Sequence, residues 1–231
     1  MNDPLAQFDG RLLDGLVFCA EVYALFERIR AEPGGVERIR LRPTITEKRL
    51  MEELLPICRY LQTYYRLGRY ISVRWVNGSQ SYDAELHQQG WYVDQGYYKP
   101  HAYLEATCAM HENEHWIRKL LNEGKPAYAP EGIEKQRRQP VQSKPVVFTN
   151  DEHVLGFAPL IVSLIRKKCE IPYPEYTSLV VQCHLNSLYT PEEWQLLVSM
   201  VERELRSTPF REVLLFDGTT ERAAPLMLRA A

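Results

Sequence analysis

Apolar residues recur at helical spacing over residues 12–30, with Leu13, Leu16, Val17, Ala20, Tyr23 and Ala24 in one stripe. This spacing predicts an amphipathic helix, closed by Glu32-Pro33-Gly34-Gly35. Residues 36–42 alternate instead: Arg38, Arg40 and Arg42 fall on one side, Ile39 and Leu41 on the other, which predicts a short strand. Thr44-Ile45-Thr46-Glu47 has the form of a capping box and opens a second helix toward Leu67, with Gly68 after it. Pro56 lies inside that helix and should kink or interrupt it, because proline has no N–H and clashes with the preceding turn.

Three strands follow in the pattern. Residues 70–76 form the first, and Asn77-Gly78 is a hairpin signal. Ser81-Tyr82-Asp83-Ala84-Glu85-Leu86 forms the second, with Asp83 and Glu85 opposite Tyr82, Ala84 and Leu86. A tyrosine-rich connection over 88–100 leads to the third, residues 101–110. There His101, Tyr103, Glu105 and Thr107 share one face, and Ala102, Leu104, Ala106, Cys108 and Met110 the other. A helix is predicted over 112–123, and a polar, proline-bearing loop over 125–150. Residues 159–168 read as a helix with Pro159 in its first turn, and 178–185 as a strand buried on both faces. Thr190-Pro191-Glu192-Glu193 starts another helix, and 212–216 is a last strand. Helices interleaved with strands in this order predict an α/β sandwich on a mixed central sheet.

Composition narrows this picture without redirecting it. In 231 residues, 45% hydrophobic content is enough for a packed core, and a net charge of -2 gives no global pull toward nucleic acid. A nucleic-acid partner would need a local basic patch. Five scattered cysteines without a CxxC pair read as reduced thiols of a cytoplasmic protein. No apolar run approaches the roughly 20 residues of a membrane span.

Candidate chemistry concentrates on the second and third strands. If they are neighbours, Asp83 stands beside Glu105, and two adjacent carboxylates repel unless a hard cation lies between them. Mg²⁺ favours such a site, taking one or two carboxylates and completing its shell with waters and phosphate oxygens.

The order helix, hairpin, Asp83, Glu105-Ala106-Thr107 and helix resembles the PD-(D/E)xK nuclease superfamily over roughly residues 44–185. The resemblance implies a restriction-endonuclease-like αβββαβ core over 44–231, with residues 1–43 an added helix and strand and a further helix at the C-terminal end. It implies a metal-dependent nuclease acting on phosphodiesters, with Asp83 and Glu105 binding Mg²⁺ or Mn²⁺ and the Ala106 carbonyl as a further ligand. Glu52 or Glu53 matches an accessory acid that some members carry. Tyr82 stands where the motif has proline, and Thr107 where it has lysine. Thr107 would then position water or phosphate, and a substitute cation would come from Arg118, Lys119, Lys135, Arg137 or Arg138, the residues expected to contact the nucleic acid, DNA in the first instance. The same fold without cleavage, serving as a binding or assembly protein with a protein partner or a second copy, is the alternative.

Two other features compete. His111-Glu112-Asn113-Glu114-His115 matches HExxH, which on a helix would hold zinc for a peptidase. Trp91, Tyr92, Tyr97 and Tyr98 either stack on bases or anchor their own loop. Arg166-Lys167-Lys168 closes a helix and reads as a complement to its dipole.

Overall fold

The structure, a computed structural model, describes residues 3–135 and 140–230; Arg137 and Arg138 lie outside the described residues. Seven strands form one mixed sheet: β1 (Leu12–Asp14), β2 (Tyr70–Trp75), β3 (Ala84–Gln89), β4 (His101–Ala109), β5 (Thr177–Cys183), β6 (Val213–Asp217) and β7 (Ala223–Pro225). Their order in the sheet is their order in the chain. β1 to β4 pair antiparallel, β4, β5 and β6 run parallel, and β7 returns antiparallel.

Helices cover both faces. On one side lie α1 (Gly15–Ala31), α2 (Gly35–Leu41), α3 (Ile45–Arg49), a π-helical turn (Leu50–Leu54) and α4 (Leu55–Tyr64). Their core joins Phe18, Val22, Leu54 and Leu61 to Val73, Leu86, Leu104 and Ala106 of the sheet. On the other side α6 (Asn150–Cys169) and α7 (Pro191–Leu205) bury Ile161, Ile165, Leu197 and Val201 against Leu179, Val181 and Leu215. β5 packs on both cores, which is why its run is almost wholly apolar. α5 (Glu114–Asn122) carries a small third cluster around Ile117, Leu120 and Ile133.

Several predicted elements need correction. The first helix begins only at Gly15: Leu12–Asp14 pair with β2, and the Asp14 carboxylate caps the helix by accepting from the N–H groups of Leu16 and Val17. Gly15 fits because a Cβ there would stand 2.7 Å from the carbonyl oxygen of Ile71. The stripe that packs is Phe18, Val22, Leu25 and Ile29, whereas Leu16, Val17 and Tyr23 are exposed. Residues 36–42 are not a strand but the helix α2, started by left-handed Gly34 and fixed by Arg38, which bonds Glu32 and Glu47. The Thr44–Glu47 capping box is present. Pro56 sits in the first turn of α4, and the π-helical turn before it takes up the disturbance. Asn77-Gly78 is not a tight turn; β2 and β3 are joined by the longer loop 76–83. α6 starts nine residues before Pro159, at a Thr149–Glu152 capping box. Pro159 is tolerated because Leu155 and Gly156 face solvent, so water can satisfy the freed carbonyl of Leu155. The predicted loop 125–150 contains a two-residue ladder, Ile133–Glu134 with Gln142–Ser143.

Candidate active site

The antiparallel ladder between β3 and β4 ends at the pair Ala84 and Leu104, while β4 continues to Ala109 beside β5. This leaves a notch on the β3 side of β4. Asp83 occupies it, one residue before β3 rather than within the strand. Its backbone still bridges the neighbouring strands: the N–H donates to the Leu104 carbonyl at 2.9 Å, and the carbonyl accepts from Val76 at 3.0 Å. Its carboxylate accepts the N–H of Ala106 at 2.8 Å, the backbone donor that β3 no longer pairs. Asp83 is therefore held against the residue after Glu105. Glu85, the acid expected to share its face, instead meets Arg74 at 3.0 Å and the Tyr82 hydroxyl at 3.2 Å. The Tyr82 ring packs on Tyr103.

Glu105 is 7% exposed and receives the Lys168 ammonium at 2.5 Å. Lys168 lies in the last turn of α6, which packs across the sheet from the helices that carry the accessory acids. From that opposite layer, the π-helical turn sends Glu53 toward the notch. Its carboxylate accepts from Trp75 Nε1 at 3.2 Å and lies 3.6 Å from Arg49. Its neighbour Glu52 turns away to pair with Arg42 at 2.8 Å. Of the two candidate accessory acids, Glu53 is the one electrostatically joined to Asp83.

Burial and crowding shift all three acids. Burial raises Glu105 to about 7, the Asp83 charge adds to this, and Lys168 opposes it. Burial, then Asp83, raise Glu53 to about 7 against the pull of Arg49. Asp83 is also raised by burial, opposed by the Ala106 N–H, Lys168 and Arg49. Burial and the charges of Glu105 and Asp83 raise the Tyr173 phenol, in the segment between α6 and β5. Among the described residues, two cations, Lys168 and Arg49, thus face three carboxyl groups, fewer positive than negative charges when all are ionised.

Among the described residues, no three His, Cys, Asp or Glu side chains are arranged to hold a metal by themselves. A pair of carboxylates is nevertheless the donor set that Mg²⁺ accepts, with waters filling the other positions. Asp83 and Glu105 fit that description.

Thr107 shares the Glu105 face two residues along β4, about 7 Å further on. Arg118 does not extend as a free phosphate contact. It is half-buried, one terminal nitrogen lies 3.5 Å from Met110 Sδ, and its charge is disfavoured by burial and by Arg42. Lys119 and Lys135 do converge, 5.5 and 5.4 Å from the Trp116 ring centre. The aromatic loop is tied down on one side: Arg69 stacks on Tyr98, and Arg66 on Tyr92. Trp91 and Tyr97 remain exposed.

The HExxH segment lacks the geometry its motif requires. α5 begins at Glu114 with Asn113 as its cap, so His111 and Glu112 precede the helix. His111 Nδ1 accepts the Asn113 N–H at 3.1 Å, and His115 Nδ1 lies 3.2 Å from the Glu112 carbonyl oxygen. The two imidazoles are not successive turns of one helix.

Lys168 is the site residue that sequence reasoning missed. The run Arg166-Lys167-Lys168 suggested only a dipole complement, and Arg166 does fill a structural role by donating to the Glu204 carbonyl. The one available signal was that a missing motif cation needs a replacement, and α6 leads directly into β5, the neighbour of β4.

No protein-family profile matches the chain, and no curated protein or solved structure is significantly similar to it.

Proposed function

We propose that the protein is a metal-dependent nuclease-like enzyme of the PD-(D/E)xK type, acting on nucleic-acid phosphodiesters. The observation that carries this reading is the meeting of Lys168 with Glu105 beside Asp83. It supplies from a helix the cation that Thr107 does not supply from the strand. The sheet supports a restriction-endonuclease-like core as well, since its central strands run in chain order with β3 antiparallel to both neighbours.

In this reading Asp83 and Glu105 hold Mg²⁺ or Mn²⁺, with Glu53 behind them. The bound ion would polarise the phosphodiester and lower the pKa of a water. Lys168 orients that water or balances the charge growing on phosphate oxygen, as a fixed ammonium in a partly buried site does well. The Ala106 N–H holds Asp83 in place and opposes the effect of burial on its carboxylate. Lys119 and Lys135, grouped at Trp116, are the backbone contacts.

One observation favours the non-cleaving alternative: at 2.5 Å Lys168 already neutralises Glu105 and competes with a metal for it. The two readings separate in one experiment. Plasmid, single-stranded DNA and RNA are incubated with the protein in Mg²⁺ or Mn²⁺, and Mn²⁺ binding is followed by calorimetry. Cleavage abolished by Asp83→Ala and by Glu105→Ala, with folding retained, supports the enzyme. Unchanged cleavage in both variants overturns it, and nucleic-acid binding with neither metal binding nor cleavage selects the alternative.

A further inference from the structure

A cavity lies beyond the carboxyl ends of the parallel strands β5 and β6, where ligands of open α/β sheets commonly bind. It has a volume of about 670 Å³, and α1, the π-helical turn and α4 form its outer wall. This is within the usual size of a small-molecule pocket. Tyr23 and Phe26 offer aromatic surface, and Met51 a polarisable contact. Gln62, Gln182 and Arg59 add polar groups to the lining.

Gln182 and Arg59 are arranged to donate. Gln182 Oε1 is engaged by the Cys108 thiol at 3.4 Å, which leaves its amide nitrogen to face the cavity. Gly218 keeps room for that amide: a Cβ there would stand 3.0 Å from Nε2. Arg59 donates to the Glu221 carbonyl, which fixes the guanidinium at the rim. The Asp217 carboxylate is already occupied by the N–H groups of Thr219 and Thr220 and the Thr220 hydroxyl, so it adds little unmet charge. Among the described lining residues, a single tethered arginine against Glu221 and a satisfied Asp217 does not make an anion site. Aromatic faces with carboxamides at their edge suit an uncharged planar heterocycle, stacked on one side and read by hydrogen bonds along its rim.

The geometry points to a nucleobase-binding pocket, formed by Tyr23, Phe26, Gln62, Gln182 and Arg59 and separate from the carboxylate notch. The base is either that of a free nucleoside or an unpaired base of a nucleic-acid strand. The inference does not depend on the notch being catalytic.

The test uses the 231-residue chain with adenosine, guanosine, cytidine and uridine, observed by saturation-transfer NMR, and with a mixed-sequence single-stranded oligonucleotide, observed by fluorescence anisotropy. Tyr23→Ala removes an exposed ring, and Gly218→Val displaces the Gln182 amide; melting temperatures check that both fold. Loss of a stacking aromatic should weaken binding by about tenfold or more. Nucleoside binding weakened in both variants assigns the pocket to a free base, and oligonucleotide binding alone, weakened in both, assigns it to a base within a strand. Absence of binding to every probe, or binding unaffected by both substitutions, overturns the proposal.

Discussion

The notch around Asp83 and the segment His111–His115 both combine acids with nitrogen bases, yet they differ in what brings their members together. The histidine segment is local, and its chemistry requires that five consecutive residues sit on one helix. A helix starting at Glu114 rather than His111 is enough to separate the rings. The notch draws Asp83 from a loop, Glu105 from β4, Glu53 from a π-helical turn and Lys168 from the end of α6. A small boundary error in any one of these elements leaves the assembly intact, because the sheet and the two helical layers fix where the chains meet. A match within one element therefore stands or falls on helix phase, and a match across elements on topology.

The largest effect should come from removing the cation that makes the notch complete. Lys168→Ala is expected to lower Mg²⁺-dependent cleavage by about 100-fold or more, the scale at which single electrostatic contacts to a reacting group act. Thr107→Lys in that background should recover about tenfold, because residue 107 shares the Glu105 face. Initial rates of plasmid cleavage measure both. A Lys168→Ala protein as active as the parent would separate Lys168 from the chemistry and return it to a purely structural ion pair.

A second effect is on stability, and its sign follows from the raised acids. Glu53 and Glu105 titrate near 7 in the folded protein, against about 4.5 for ordinary glutamate. Between those values the folded state holds protons that the unfolded state has released. These groups therefore favour folding least above pH 7, and stability should fall as pH rises from about 4.5 to about 7. Each accounts for at most about 3 kcal/mol. Urea melts in chelator should show this slope, Glu53→Gln should remove part of it, and Mg²⁺ should flatten it. A slope untouched by Glu53→Gln would detach Glu53 from the notch. Glu52→Gln is the control, since Glu52 pairs with Arg42 instead.

How much of this was legible beforehand varies by residue. The capping box at Thr44, the proline-led helix start at Thr190 and the alternation of β4 survive because they are local signals with a direct physical cause. Residues 36–42 misled because seven residues are too few to tell a helical period from an alternating one, and the deciding contacts, Arg38 with Glu32 and Glu47, lie outside the window. Pro159 misled because its usual place is a helix start, whereas here its freed carbonyl faces water. Asp83 and Glu105 were visible as a pair of strands, but Lys168 lies 63 residues from Glu105 and carries no mark of its destination.

The smallest effect tests the other half of the comparison. His115 is exposed and, among the described residues, meets the Glu112 carbonyl and the Trp116 ring, so His115→Ala should change stability by no more than about 0.5 kcal/mol. His111→Ala should cost somewhat more, because the imidazole accepts the N–H of Asn113 just ahead of α5. Neither change should alter zinc uptake, since the two rings are not aligned along one helical face. Zinc binding by calorimetry with one ion per chain, abolished by either substitution, would mean that α5 extends back through His111 in solution. The local motif would then be real, and the notch would no longer be the sole claimant to a metal.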